Sequence, residues 1–250
     1  MKVIAIIQAR MGSSRLPGKI IMPIGRLNLF EIIFHRVSSA KLVNDCVFAT
    51  TTSLKDDIFC QTLNDKKINY FRGSEEDVLS RYLGAAKKFK ADVIVRVTCD
   101  DPFKDPKIID KCLQLLNENQ LDFCSNIISK TYAEGLDVEC FTRETLETLN
   151  IRSKKYYERE HVTPFFYENM NEFKWKEIRD EVNMSEYRLT LDDQVDYNIL
   201  SKIYEATNYN YSISYEEIKK IITLPNNKKK LIGRIPTYQG LNKSKGEFNG

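Results

Sequence analysis

Residues Val3 to Ile7 are five apolar side chains in a row with no polar alternation. Such a run marks a strand covered on both faces, the pattern of a sheet held between two helical layers. It passes directly into Gln8-Ala9-Arg10-Met11-Gly12-Ser13-Ser14-Arg15-Leu16-Pro17-Gly18-Lys19, a loop with two glycines, two serines and three cations. Backbone N–H groups of a Gly/Ser turn can converge on anionic oxygens, and Arg10, Arg15 and Lys19 add countercharge. A polyphosphate is the ligand such a loop is built to hold.

The loop approaches a nucleotide-binding Walker A sequence and fails it. Five residues, not four, separate Gly12 from Gly18-Lys19, and Ile20 stands where a magnesium-binding Ser or Thr belongs. A Walker loop must open straight into a helix, and Pro23 opposes a helix through Ile20 to Ile24. No G-x-G-x-x-G dinucleotide fingerprint follows either.

From residue 1 to about 126 short apolar runs alternate with amphipathic helices, which predicts an α/β, doubly wound, mostly parallel sheet. After the first strand, Leu29, Ile32, Ile33 and Val37 mark one helix face, and Cys46 to Thr50 a second strand. A helix opened by Asp56 and Asp57 is expected to bury Ile58, Phe59 and Leu63, ahead of a short strand at Tyr70-Phe71. Ser74 and Asp77 have capping-box spacing for a helix through Lys90, before a strand at Val93 to Val97. Asp105-Pro106 starts a helix burying Ile108, Ile109, Cys112, Leu115 and Leu116.

Between about 127 and 182 the regularity weakens, and this excursion is expected to shape an acceptor pocket or a dimer contact. It holds a strand at Val138 to Phe141, and Phe173 and Trp175 alternate with Lys174 and Lys176 as on a half-exposed strand. A strand is expected at Tyr187 to Leu191, then a helix to about Thr207, then a helix capped by Ser214 and Glu217. The reading is one α/β domain over residues 1–225, with 226–250 as a flexible tail.

At 250 residues the chain can bury a full core. A net charge of +3, made of 38 cations and 35 anions, implies no basic surface for nucleic acid. The six cysteines are scattered on apolar segments without C-x-x-C, and there are two histidines; this disfavours a zinc site and suits a reducing cytoplasm. With no signal-peptide pattern and no apolar run of membrane-spanning length, a cytoplasmic protein is expected.

In open α/β sheets ligands bind beyond the carboxyl ends of the strands. Three such places carry chemistry: the Gly12 loop, Thr98-Cys99-Asp100-Asp101-Pro102, and Asp192-Asp193. A cationic polyphosphate loop facing two strand-end carboxylates suits magnesium-assisted phosphoryl chemistry. Taken singly, Asp-Asp-Pro also reads as a turn and Asp192-Asp193 as a helix cap. Their joint occurrence favours a site.

The stretches Ile6 to Lys19, Phe71 to Leu79, Arg96 to Pro102, Glu134 to Glu139 and Glu158 to Pro164 together resemble the cytidylyltransferase family that activates acidic sugars as CMP conjugates. The likeness is to its spore-coat polysaccharide, SpsF-like branch, and covers residues 1 to about 205. It implies a Rossmann-like fold of the GT-A nucleotidyltransferase kind, a CTP substrate, Mg2+ and a homodimer. It also implies that Arg10, Gly12, Arg15 and Lys19 hold the CTP phosphates, that Ala9 to Met11 with Arg72 line cytosine and ribose, and that Ser13, Ser74 and Thr98 belong to the nucleotide site. Asp100 and Asp192 match metal-binding aspartates, Arg15, Lys19 and Asp100 the catalytic set, and Glu134, Asp137, Glu139, Arg159 and His161 the acceptor face. Relatives that make CMP-sialic acid carry Asp-x-Asp where Thr190-Leu191-Asp192 stands here, which counts against a sialic-type acceptor and a second aspartate ligand. Independently of the likeness, Asp137 and Glu139 also read as the solvated face of a strand, and His161 as a packing residue.

The expected reaction is attack by an oxygen of a sugar-like acid on the α-phosphate of CTP, with pyrophosphate leaving against Arg15 and Lys19. The alternatives are a nucleotidyltransferase using GTP or UTP on a sugar 1-phosphate, a metal-dependent glycosyltransferase, and a nucleotide-binding module without catalysis.

Overall fold

The structure is a computed structural model that describes residues 1–232. Its centre is a seven-stranded sheet made by β1 (Val3–Gln8), β4 (Asp45–Thr51), β5 (Tyr70–Gly73), β6 (Val93–Thr98), β7 (Phe123–Ser125), β8 (Glu139–Thr142) and β9 (Trp175–Glu177). Their spatial order is β5-β4-β1-β6-β8-β7-β9, and β2 (Pro23–Ile24) with β3 (Leu27–Asn28) forms a separate hairpin. Every strand of the main sheet runs the same way except β8, which is antiparallel to both β6 and β7.

Alternation along β1 explains the two layers. Ala5 and Ile7 point into a core covered by α1 (Leu29–Ser38), α2 (Asp57–Asp65), α4 (Pro106–Glu118), α8 (Gln194–Ala206) and α9 (Tyr215–Ile222). Ile4 and Ile6 point into a second core under α3 (Val78–Phe89), α5 (Arg143–Arg152) and α7 (Pro164–Glu168), with α6 (Tyr156–His161) joined to it through Val162. Fully buried Phe30, Phe48 and Phe59 meet edge to face in the first, and Phe123 stacks on Phe166 in the second. The doubly wound, mostly parallel sheet is as expected from the apolar runs, and Pro23 ends the helical turn at Lys19–Ile21 and starts the hairpin instead.

Several local expectations are corrected. Ile58 is 59% exposed, because the i,i+4 pair Phe59 and Leu63 defines the buried face of α2 and Ile58 lies a third of a turn away. Asp77, not Ser74, caps α3: its carboxylate accepts from the Ser80 N–H, while the Ser74 hydroxyl accepts from the Asp77 N–H a turn earlier. Tyr187 to Leu191 is extended but joins no strand of the main sheet. Its backbone groups go to different partners in turn, Arg188 to Leu231, Leu189 to Glu134 and Leu191 to Asp100, while Leu189 and Leu191 are buried. The expected tail opens instead with α10 (Pro225–Leu231), anchored by buried Leu231 and by a single bridge from Ile232 to Tyr187. The rest of that tail, 233–250, lies outside the described residues.

Candidate active site

The parallel pairing of Gln8 with Thr98 brings the carboxyl ends of β1 and β6 side by side, and the residues beyond them open into one cleft of about 400 Å3. The loop after β1 is shaped by its own backbone. Ser13 N–H and Gly18 N–H both donate to the Met11 carbonyl, and Gly18 sits at φ +72°, left-handed backbone that glycine adopts without strain. Asp56, almost fully buried, anchors the loop by accepting the Met11 N–H at 2.7 Å while also binding the Thr51 N–H. That fold turns Arg15 and Lys19 back over the strand ends.

Lys19 Nζ donates to Asp100 Oδ2 at 3.1 Å, to Asp192 Oδ1 at 3.1 Å and to the Leu191 carbonyl at 2.8 Å. Arg15 reaches the same Asp192 Oδ1 at 2.9 Å, and Arg188 reaches Asp192 Oδ2 at 2.5 Å. Burial would push the Lys19 ammonium down, but Asp100 and Asp192 outweigh it and hold it above the ordinary lysine value. Asp192 is pushed up by burial and pulled further down by Lys19, Arg15 and Arg188, which together hold its carboxyl below the ordinary value. Asp100 is lifted by burial and by neighbouring Asp101 and Asp192, with Lys19 opposing.

A buried layer beneath fixes this arrangement. Asp101 accepts from Thr98 Oγ1 at 2.9 Å, Lys104 Nζ at 2.8 Å and Thr190 Oγ1 at 2.8 Å, and Lys104 and the two hydroxyls hold its carboxyl below the usual range against burial. The Leu191 N–H donates to the Asp100 carbonyl at 2.8 Å. The end of β6 and the segment bearing Asp192 are thus tied together. Gly135 makes room for that segment: at φ +97°, a Cβ there would lie 2.9 Å from the Leu189 carbonyl carbon.

Of the residues singled out from sequence, Ala9, Arg10, Ser13, Arg15, Lys19, Thr98, Asp100, Asp192 and His161 line the cleft. Met11 turns its side chain onto the core, and Gly12 lies exposed beside Glu75. Other candidates lie away from the lining because they are engaged elsewhere. Arg72 binds the Thr51 and Ser53 carbonyls and Asp57. Ser74 is committed to the turn before α3, its carbonyl taking Arg81. Arg159 braces α6 against α3 through Asp77 at 2.6 Å and Asn150. Glu134 pairs with Arg188 at 2.8 Å. Asp137 is largely enclosed, its carboxyl pushed up to about 6 by burial. Glu139 is neither solvated nor open to the cleft, being buried against Arg96 and the Tyr167 hydroxyl.

The sequence reading did not single out the cleft residues Gln8, Glu75, Glu76, Arg81, Arg96, Tyr156 and Glu160. Arg96 carried a signal, as a cation inside an otherwise apolar strand. Three polar atoms of this wall, Gln8 Oε1, Arg81 Nε and Arg96 Nε, are buried without a protein partner, a costly state that a bound polar ligand relieves. His161 is presented by a γ-turn: Val162, fully buried, sits at φ 72°, ψ −52°, and Thr163 N–H donates back to the His161 carbonyl at 2.9 Å. β-branched residues adopt that backbone only when their surroundings impose it.

Asp100 and Asp192 suit a hard divalent cation. They converge from separate elements on the point where Lys19 Nζ lies, and among the described residues no group of three His, Cys, Asp or Glu gathers. Two carboxylates with the remaining positions left to water and phosphate is how Mg2+ is usually held. A cleft with this donor set, cations on one side and carboxylates between them, can orient a triphosphate and neutralise a leaving pyrophosphate.

A sequence model of the family described as cytidylyltransferase matches residues 4–233. The chain belongs to that family. Like other members it is a nucleotidyltransferase, and its fold is theirs. The spore coat polysaccharide biosynthesis protein SpsF of Bacillus subtilis is 30% identical to this cytidylyltransferase over 230 residues, 90% of this chain and 94% of that protein. An uncharacterized protein of Methanocaldococcus jannaschii is 38% identical over 224 residues, 89% of each chain. Among solved structures, a cytidylyltransferase from Leptospira borgpetersenii serovar Hardjo-bovis superposes with a TM-score of 0.87 at 36% identity, covering 95% of this chain and 99% of that one. No helix among the described residues is long and apolar enough to cross a membrane.

Proposed function

We propose that this cytidylyltransferase transfers CMP from CTP to a sugar or sugar-like acid destined for a surface polysaccharide. The observation that carries the reading is the convergence of Arg15, Lys19, Asp100 and Asp192 in one cleft at the ends of β1 and β6. The likeness to SpsF supports the polysaccharide role.

In this reading the triphosphate lies along the Gly12 loop, with Arg15 and Lys19 on its β- and γ-phosphates. An acceptor oxygen, held toward the Gln8, Arg96 and His161 side of the cleft, attacks the α-phosphorus as the bond to the β-phosphate oxygen breaks. Pyrophosphate leaves into the field of the two cations. Asp100 and Asp192 would hold Mg2+, which when bound supplies positive charge at the phosphate oxygens. No covalent enzyme intermediate is needed, since positioning and charge neutralisation supply the acceleration. The protein acts in the cytoplasm as a homodimer formed through the 127–182 segment, where β9 is an edge strand.

Isothermal titration of CTP and CMP onto wild type, Arg15→Ala and Lys19→Ala tests the assignment. Both variants are expected to lose far more affinity for the triphosphate than for the monophosphate. Equal losses for the two ligands would show that the loop is not the triphosphate site.

A further inference from the structure

The contacts of Lys19 in the nucleotide-free cleft are what its proposed role on the phosphates leaves unexplained. An ammonium has three N–H donors. Lys19 uses them on Asp100 Oδ2, Asp192 Oδ1 and the Leu191 carbonyl, at 3.1, 3.1 and 2.8 Å. Its side chain is 12% exposed, so the three oxygens and the surrounding protein enclose the charge. A lysine in this state has no donor left for a phosphate, and it fills the point at which the two carboxylates converge.

Resting on the reading of the cleft given above, we propose that Lys19 is a built-in counterion that holds the divalent-cation position in the nucleotide-free protein, so that metal and nucleotide load together. Two partly buried carboxylates, 28% and 14% exposed, would repel each other without a cation between them. Lys19 removes that cost before any ligand arrives, and thereby also competes with one ligand, the free metal. A divalent ion arriving alone must displace the ammonium with nothing nearby to receive it. When a triphosphate lies on the Gly12 loop, its oxygens receive the ammonium and the carboxylates become available to the metal. The flexible four-carbon stem permits that exchange without rebuilding the backbone, which is fixed by Gly18 and the following turn. Metal and nucleotide affinities are then positively coupled, and by linkage each strengthens the other. Arg15 is placed differently: it meets Asp192 Oδ1 at 2.9 Å from a side chain that is 46% exposed.

The test is binding of Mn2+ to the full chain without nucleotide, followed by the electron paramagnetic resonance signal of free Mn2+. Wild type is expected to bind weakly. Lys19→Met is expected to bind at least about tenfold tighter, a coupling of ~1.4 kcal/mol, and the added Asp100→Asn substitution is expected to abolish the gain. Lys19→Gln, followed by circular dichroism, gives the same readout if the Met variant does not fold. Mn2+ affinity unchanged or weakened in the folded Lys19 variants would overturn the proposal, as would a gain that survives Asp100→Asn. Because no nucleotide is present, this result is separable from a failure of CTP to bind the wild type, which would overturn the proposed function instead.

Discussion

Replacing Lys104 by Met should reveal how firmly the cleft is held from below. Lys104 is 1% exposed and its ammonium lies 2.8 Å from Asp101, itself 4% exposed. Methionine fills the same volume and leaves the Asp101 carboxylate buried without its cation. Stranding a buried charge in this way costs about 3–5 kcal/mol. The Thr98 and Thr190 hydroxyls still donate to Asp101, which places the expected loss near the lower bound, about 3 kcal/mol. The sign of the pH dependence follows from the carboxyl. In wild type it is held below its ordinary value, so its contribution is fully present above the unfolded-state value and fades as pH falls through the folded one. In Lys104→Met burial is opposed only by the Thr98 and Thr190 hydroxyls and lifts it, so protonation in mild acid should relieve the variant. Urea unfolding at pH 7.5 and pH 4.5 measures both effects, with the m-value confirming an unchanged native state. A deficit below about 1 kcal/mol, or one equal at the two pH values, would refute the reasoning. Asp101→Asn in the Lys104→Met background should recover at least half of the loss at pH 7.5.

Three further outcomes are expected. Asp137→Asn should stabilise the protein above pH 6 by at most about 3 kcal/mol, because a carboxyl raised from 3.8 to about 6 by burial makes the native state bind more protons in that window and lose stability as pH rises through it; thermal melts from pH 4 to 8 should show the gain vanish near pH 4. Gly135→Ala should cost about 2–4 kcal/mol through positive-φ strain and the 2.9 Å approach to Leu189, and weaken CTP binding by displacing Asp192; a melting temperature within 2 °C of wild type, roughly the shift of a fraction of a kcal/mol, would contradict this. Asp56→Ala should release Met11 and the loop, lowering CTP affinity at least about tenfold, ~1.4 kcal/mol, by titration calorimetry, while an unchanged affinity would mean that the loop holds its shape without the anchor.

The part of the site that was legible in the sequence is the part whose chemistry is contiguous. Arg15 and Lys19 share one Gly/Ser loop and Asp100 follows a buried strand, so position along the chain already implied position at the rim of the sheet, whereas Asp192 follows a run that joins no strand and is brought to that rim by the Leu191 N–H bond to the Asp100 carbonyl. Direction was not legible. Arg72 and Arg159 sit in stretches that match the family, yet carbonyls and Asp57 take the first while Asp77 and Asn150 take the second. Glu139 alternates on its strand as a solvated residue would, but the face it occupies is covered by α7, whose Tyr167 hydroxyl it accepts. The parallel core followed from apolar runs, whereas β8 reversing direction depends on long-range pairing that no local pattern encodes. Tyr187 to Leu191 carries strand-like residues, and only tertiary contacts with Glu134, Asp100 and Leu231 divert its backbone away from the sheet. The cleft wall formed by Gln8, Arg96 and the α6 residues is assembled from three separated segments.

The central claim is a cytidylyl transfer run by the cleft at the ends of β1 and β6. Its most direct measurement is pyrophosphate release from CTP, UTP, GTP and ATP with magnesium and a panel of keto-acid sugars, sugar phosphates and polyol phosphates, in wild type and Asp100→Ala. Acceptor-dependent release from CTP alone, lost in Asp100→Ala, is the predicted result. Release from GTP or UTP with none from CTP, or turnover undiminished by Asp100→Ala, would contradict it.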